Sequence, residues 1–413
     1  MTQAIIDKVA ILLVWPRELN QLKPLITSLN DDLVFIIDNF RYTEPERKGR
    51  VDNLVKLLGN QQYVYLSEVI GVNKYRVLIS TAQTYQEYVT FHSYIRYIYA
   101  ITVGRFFDVI GMSDYLLASI GRPFNGGGIK SKIFEMRQIE RMIGLTTICY
   151  PKGLDVNIKA YPPERLRGVF DIYLCHSSID RDLINSKFSD TKCVVIGNPK
   201  YDNPPSVFRS KHIISNDFHD INTSKPILLW IPTHINIQGE SLLNILIWLP
   251  AITQLSAKYN IVIRPHPKSL AIDSKIMKKL NQAGLIVDSR SDRDLCVLYQ
   301  ASDLVLADYG SSVLSAIYMK KKLLLLNMPN KTKFLRLRKN KRQIDQEVRN
   351  DAKSFEYNDM SLYKNIKDSI EQDKDLELTR LKQKYFGNDN NLKKISEVAD
   401  NFIGELLGTV QIE

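Results

Sequence analysis

Short apolar, β-branched runs alternate along this chain with longer stretches in which Leu and Ile return every three or four residues. That alternation of strand and helix builds a parallel sheet with helices on its faces. Val9 to Trp15 and Leu33 to Ile37 read as strands, and Leu19, Leu22, Leu25, Ile26 and Leu29 mark a helix between them. Val51, Leu54, Leu57 and Leu58 mark another helix, ahead of the run Tyr63-Val64-Tyr65-Leu66. Further strands are expected at Thr146 to Tyr150, Ile172 to His176 and Cys193 to Ile196, with Ser177-Ser178 capping a helix from Ile179 to Phe188. Asn203 to Lys225 is rich in Pro, Ser, Asn and Asp, the composition of an interdomain linker. After it the alternation restarts, with a strand from Pro226 to Ile231, a helical stretch from Leu242 to Tyr259, and apolar runs at Ile261 to Ile263 and Leu304 to Ala307. The expected organisation is a first lobe at 1–204, a linker at 205–225, a second lobe at 226–390 and a C-terminal helix at 391–413. Two α/β lobes joined in this way enclose a cleft.

Two strand ends in the second half carry the candidate chemistry. Ile261-Val262-Ile263 runs into Arg264-Pro265-His266-Pro267, which delivers a cation and an imidazole to the carboxyl end of a buried strand. Leu304 to Ala307 runs into Asp308-Tyr309-Gly310-Ser311-Ser312 and then a helix, which places two hydroxyls and unpaired backbone N–H groups at a helix start. In an open α/β sheet, ligands bind outside the carboxyl ends of the strands, so both motifs converge on one edge. A proline-flanked strand end and a serine N-cap are also ordinary structural features, and the convergence is what argues for a site. Asp38, ending the second strand, stands at the corresponding edge of the first half, as an acceptor-side group or as a plain cap.

Composition narrows the class. The 413 residues are 44% hydrophobic and 24% charged, as in a folded protein, and the formal charge of +11 calls for an anionic partner. Cys149, Cys175, Cys193 and Cys296 are widely spaced without metal-ligand spacing, and read as core residues of a reducing, cytoplasmic compartment. No metal or cofactor is implied beyond an activated donor substrate. No window supplies the roughly 20 nearly uncharged apolar residues of a spanning helix. Lys331 to Arg342 contains no acid, and suits a solvated loop or contact with an anionic membrane surface or polymer equally well. The aromatic stretch Tyr85 to Phe124 reads as a buried helix rather than a membrane-resting one. Asn125-Gly126-Gly127-Gly128 matches neither the P-loop nor the dinucleotide fingerprint, and the remainder from Gln343 reads as mainly helical.

Gly197-Asn198-Pro199-Lys200-Tyr201-Asp202, Ile231-Pro232-Thr233-His234, Arg264-Pro265-His266-Pro267, Ala301-Ser302-Asp303 through Ser312, and Tyr385-Phe386-Gly387-Asn388-Asp389 together resemble a known family. It is that of the CDP-glycerol glycerophosphotransferases of teichoic-acid and capsule synthesis, and the likeness runs from about Ile172 onward. The resemblance implies a GT-B fold, two Rossmann-like lobes with a C-terminal helical segment. It also implies a cytidine-nucleotide donor and a glycan or lipid-linked acceptor in bacterial surface-glycan synthesis. On this likeness Arg264 and His266 contact the donor phosphates and carry the catalysis, and Ser311 and Ser312 hold the terminal phosphate. His234, Asp308, Gly310, Asn198 and Pro199 complete the donor side. Gly310 stands where the family has serine. The family's His-Gly-Thr-Pro acceptor motif corresponds here to Tyr150-Pro151-Lys152-Gly153, which leaves Lys152 and Asp38 as acceptor-side candidates.

The His-Pro and Ser-Ser pairs also resemble elements of the CMP-sialic-acid and CMP-Kdo transferases, which share the fold and the cytidine nucleotide. A nucleic-acid-binding module would account for the charge. The chain shows no helix-turn-helix, RNP or zinc signature, so nucleic acid is not expected as a partner.

Overall fold

The computed structural model describes residues 3–29, 33–39, 44–81, 139–150, 170–185, 192–233, 243–266, 269, 275–290, 293–328, 347–357, 359–388 and 404. The first lobe is a seven-stranded sheet of order β3-β2-β1-β4-β5-β6-β7. Its strands are β1 Ala4–Leu13, β2 Leu33–Ile37, β3 Tyr63–Tyr65, β4 Asn73–Ser80, β5 Gly144–Cys149, β6 Ile172–Cys175 and β7 Lys192–Val195. The second lobe is a six-stranded sheet of order β10-β9-β8-β11-β12-β13. It is built from β8 Ile227–Ile231, β9 Asn260–Ile263, β10 Ile286–Val287, β11 Leu304–Ala307, β12 Leu323–Leu326 and β13 Ser354–Phe355. Every pairing is parallel. Strand order reverses beside β1 in one sheet and beside β8 in the other, so each lobe is a doubly wound, Rossmann-like unit.

Strands buried on both faces are the easiest to read, although the part-buried β3 and β7 are expected too. Every residue of β2, β8, β9, β11 and β12 is buried, which demands an unbroken apolar run. β1 begins at Ala4 rather than Val9, and Trp15 lies beyond its end. The alternation passes over β4, the central partner of β1, because Lys74 and Arg76 interrupt its first half. It also passes over β12, whose four leucines directly follow the cations Lys320-Lys321-Lys322. Cys149, Cys175 and Cys296 are buried thiols, and Cys193 is half-buried.

The stretch expected to be a linker is not irregular. It contains a helix, Val207–Asp217, whose start is capped by Ser206 Oγ accepting from the Arg209 N–H. Ile214 is buried among Ile227, Leu229, Leu298 and Ala301 of the second lobe. Lys211 Nζ lies 2.8 Å from Asp303, whose other oxygen accepts from the Ile227 N–H at 2.8 Å. This helix is therefore a layer of the second lobe, made from a polar segment with a single apolar stripe.

Among the described residues, two crossings join the lobes. In the first, His176 Nδ1 lies 2.9 Å from the Gly197 carbonyl, and the chain then enters a short helix, Pro199–Asp202. The Tyr318 hydroxyl, on the second-lobe helix Ser311–Tyr318, accepts from the Asn198 N–H and donates to Asp202 Oδ1, both at 2.7 Å. Tyr201 donates to Ser315 Oγ at 3.1 Å and stacks edge-on against Tyr299. In the second crossing, the helix Asp375–Phe386 ends at Gly387, against the first-lobe helix Ser178–Asn185. Gly387 has φ 79°, and a side chain there would collide with Ser178 Oγ. The aromatic stretch 85–124, the glycine loop 125–128, the basic run 331–342 and most of the helix expected at 392–407 lie outside the described residues.

Because Ile214 sits in the second-lobe core, Ile214→Ala should cost about 2–5 kcal/mol of stability, while Phe208→Ala on the exposed side of the same helix should change it by under about 0.5 kcal/mol. Urea denaturation of both variants checks this; equal, negligible effects would restore a plain tether.

Candidate active site

The second sheet's reversal falls between β8 and β11, where the two chains leave toward opposite faces and open a crevice. Asp308, fully buried, bridges it. Its carboxylate accepts from the Thr233 N–H (2.8 and 3.0 Å) and the Tyr309 N–H (2.6 Å), and the Thr233 hydroxyl donates to the Tyr309 carbonyl. Arg349 donates to the Asp308 carbonyl and, at 2.7 Å, to Asn327 Oδ1, and its guanidinium lies 3.8 Å from the centre of the Tyr309 ring. Burial pushes the Asp308 carboxyl up to about 6, against the downward pull of these hydrogen bonds and of Arg349.

This clamp fixes the turn that starts the helix Ser311–Tyr318. Gly310 is its N-cap with φ 83°, a conformation that strains any side chain, and a Cβ would press on Thr233 Oγ1 at 3.3 Å. Glycine in place of the family's serine is therefore a backbone requirement here. Ser311 is exposed at the first turn, whereas Ser312 Oγ is turned back toward the Tyr309 carbonyl at 3.3 Å. The Tyr299 hydroxyl holds the Ser312 carbonyl at 3.0 Å, bracing the first turn from the adjoining helix Leu295–Ala301.

On the other side of β8, Arg264 extends β9, its N–H bonded to the Trp230 carbonyl. Nη1 lies 2.7 Å from Asp288 Oδ2, and Asp288 Oδ1 accepts from Arg293 Nε at 2.9 Å. Arg293 Nη1 in turn meets Asp217 at 2.5 Å, at the end of the linker helix. Arg264 is thus anchored through one nitrogen to a fully buried carboxylate, and removing one member of such a chain strands the others. His266 is half-buried one residue beyond Pro265, and its carbonyl accepts from the Ser269 N–H at 2.8 Å.

Arg264, His266, Asp308, Gly310, Ser311 and Ser312 accordingly stand at the ends of β9 and β11, which flank β8. Asn198 and Pro199 are buried in the first crossing. In the first lobe, Asp38 is buried, and its carbonyl accepts from Arg50 Nη2 at 2.8 Å while Arg50 Nη1 holds the Val14 carbonyl. Glu18 Oε2 accepts from the Val14 and Trp15 N–H groups at 2.6 and 3.0 Å, fixing the turn after β1. His234 and Lys152 lie outside the described residues. Sequence reading missed Thr233 as a partner of Asp308, and Asp288, Arg293, Arg349 and Tyr318 altogether. None of these left a readable signal; Asp288 closes an apolar pair, Ile286-Val287, too short to read as a strand. No cluster of potential metal ligands occurs among the described residues.

Two all-parallel, doubly wound lobes with polar groups gathered at a switch point are the architecture of a GT-B transferase. The model of the CDP-Glycerol:Poly(glycerophosphate) glycerophosphotransferase family matches residues 164–386, more than half of the chain, and the protein belongs to that family. In fold the chain is similar to the wall teichoic acid polymerase TagF, with TM-score 0.54 at 12% identity over 98% of this chain and 89% of that one. It is also similar to S. aureus MnaA, seen with UDP, with TM-score 0.53 at 14% identity over 99% of both chains. A putative UDP-N-acetylglucosamine 2-epimerase from Listeria monocytogenes gives 0.54 at 11% identity over 100% and 99%. No curated protein matches the chain in sequence. The protein is an enzyme, a glycerophosphate transferase by family.

The raised Asp308 carboxyl gives a signed prediction. The folded state binds the extra proton between about pH 4 and 6, so this group's contribution to stability falls as pH rises through that window. Asp308→Asn, which keeps an oxygen for both N–H donors, should lack that slope. The stability of the wild type relative to the variant should fall by up to about 3 kcal/mol from pH 4 to 6, measured by denaturant midpoints; parallel pH profiles would refute it.

Proposed function

We propose that the protein transfers glycerol phosphate, or a related polyol phosphate, from a CDP-linked donor to a glycan or lipid-linked acceptor of a bacterial surface polymer. The observation that carries this is the placing of Arg264 and of the Ser311-Ser312 helix start on the two strands flanking β8, at the switch point. In this reaction an acceptor hydroxyl oxygen bonds to the donor's terminal phosphorus while that phosphorus separates from the bridging oxygen. CMP leaves with the electron pair, and the hydroxyl proton is released. Charge on the transferring group is met by fixed donors: Arg264, the His266 ring, the Ser311 hydroxyl and the backbone N–H groups of the helix start. The reading assigns all charge neutralisation to protein groups, with no metal or cofactor. It assigns the chain's positive charge to phosphates and an anionic surface rather than to nucleic acid.

His266→Ala should lower turnover with the fold intact, and Ser311→Ala should weaken donor binding roughly ten- to a hundredfold, the loss of one hydrogen bond to a charged group. The assay is CMP release from CDP-glycerol, run beside CDP-ribitol, CMP-Kdo and CMP-sialic acid. Wild-type rates in both variants would put the donor elsewhere, and release from a CMP-sugar alone would replace the donor.

The acid-free run Lys331 to Arg342 is assigned to the anionic inner face of the membrane, each basic residue contributing about 1 kcal/mol. No helix among the described residues is long and apolar enough to cross a membrane. Binding to phosphatidylserine vesicles should weaken with salt and with charge reversal at Arg336, Arg338, Lys341 and Arg342; salt-independent sedimentation would remove this assignment.

A further inference from the structure

Lys200 is a cation that the reading of the phosphate site leaves unused. It lies in the short helix Pro199–Asp202 of the first crossing, and its carbonyl accepts the Cys296 thiol at 3.2 Å, at the start of the helix Leu295–Ala301. The next residue, Tyr201, is bonded to Ser315, one turn below Ser311, so Lys200 rides on the same packed block as the phosphate-facing helix start. Its side chain is 22% exposed, yet its one ion pair among the described residues is long, 3.9 Å to Asp294. Asp294 is itself 53% exposed and is engaged as a helix cap, its Oδ1 accepting from the Cys296 N–H at 3.0 Å.

Asp202, in the same short helix, accepts from the Tyr318 hydroxyl, and the acids beside Arg264 are committed as well. Asp288 gives one oxygen to Arg264 and one to Arg293, and Asp217 faces Arg293 and Arg290. Burial holds the Lys200 amine below its ordinary value; Asp294 and the Cys296 thiol oppose this, and the nearby positive charge of Arg264 adds to it. Two cations whose charges act on each other, one of them largely withdrawn from water and held only by a 3.9 Å ion pair and the Tyr201 ring 5.6 Å away, form a place that an anion completes.

We propose that Lys200 is a ligand of the donor's diphosphate, reaching it from the interlobe crossing while Arg264 reaches it from the second sheet. The inference rests on the donor site being where the proposed function puts it. A diphosphate carries the charge and the length to span two such cations, whereas the nucleoside offers neither. Lys200 then reports on the phosphates and not on the base.

The test is calorimetric titration of the full-length protein with CDP, CMP and cytidine. Lys200→Met should weaken CDP roughly ten- to a hundredfold, weaken CMP less, and leave cytidine unchanged, with Lys200→Arg restoring most of the CDP affinity. Asp294→Asn should leave CDP binding unchanged or tighter. If Asp294→Asn instead reproduces the Lys200→Met loss, the lysine is a structural partner and the assignment is overturned. Wild-type CDP affinity in Lys200→Met also overturns it. In that case Arg264→Met separates the causes: loss of CDP binding keeps the donor site and removes only Lys200, and retained binding shows the site itself to be misplaced.

Discussion

A buried carboxylate holds the carboxyl edge of the second sheet together. Where the order of the second sheet reverses, β8 and β11 are hydrogen-bonded neighbours up to Ile231 and Ala307, and beyond those residues the ladder has nothing further to offer. Asp308 takes over at that point, gathering N–H groups from both departing chains, while the Thr233 hydroxyl returns a bond to the Tyr309 carbonyl. Desolvating an acid is expensive, and these bonds with Arg349 offset only part of the cost. The turn they define admits Gly310 and sets where the helix start faces. Asp308 therefore acts through geometry, by deciding where Ser311 stands.

The ion chain on the other flank does the same for Arg264. One guanidinium nitrogen is fixed to Asp288, and Arg293 and Asp217 carry the anchoring to the helix Val207–Asp217. The segment between the sheets thus supports a residue at the strand end, and a stretch that looks like a spacer is part of the site's scaffold. A flexible cation would lose rotamer freedom on meeting a phosphate, and one already anchored loses less.

What could be read from the sequence follows from where residues stand on the sheets. Strands buried on both faces have to be continuous runs, so β2, β8, β9 and β11 are plain in the sequence. β4 and β12 are hidden by lysines and arginines within or before them, and β10 and β13, two residues each, are too short to carry a pattern. Arg264, His266, Ser311 and Ser312 could be placed at a sheet edge from the sequence because each lies at or shortly after the end of a readable strand. Asp288 follows an unreadable one. Arg349 and Tyr318 reach their partners across 41 and 120 residues, a distance that no local pattern encodes. The helix within the linker failed to show because one buried isoleucine among polar residues does not make a periodicity.

Gly387 has a consequence for how closely the two halves can approach. The chain passes between the sheets at Gly197–Asp202, and it touches the first lobe again where Gly387 lies against Ser178. Tyr318 serves both contacts, its hydroxyl holding Asn198 and Asp202 and its ring meeting Phe386 edge-on at 5.0 Å. The two contacts are therefore one seam, and any side chain at 387 would wedge it apart at the Ser178 end.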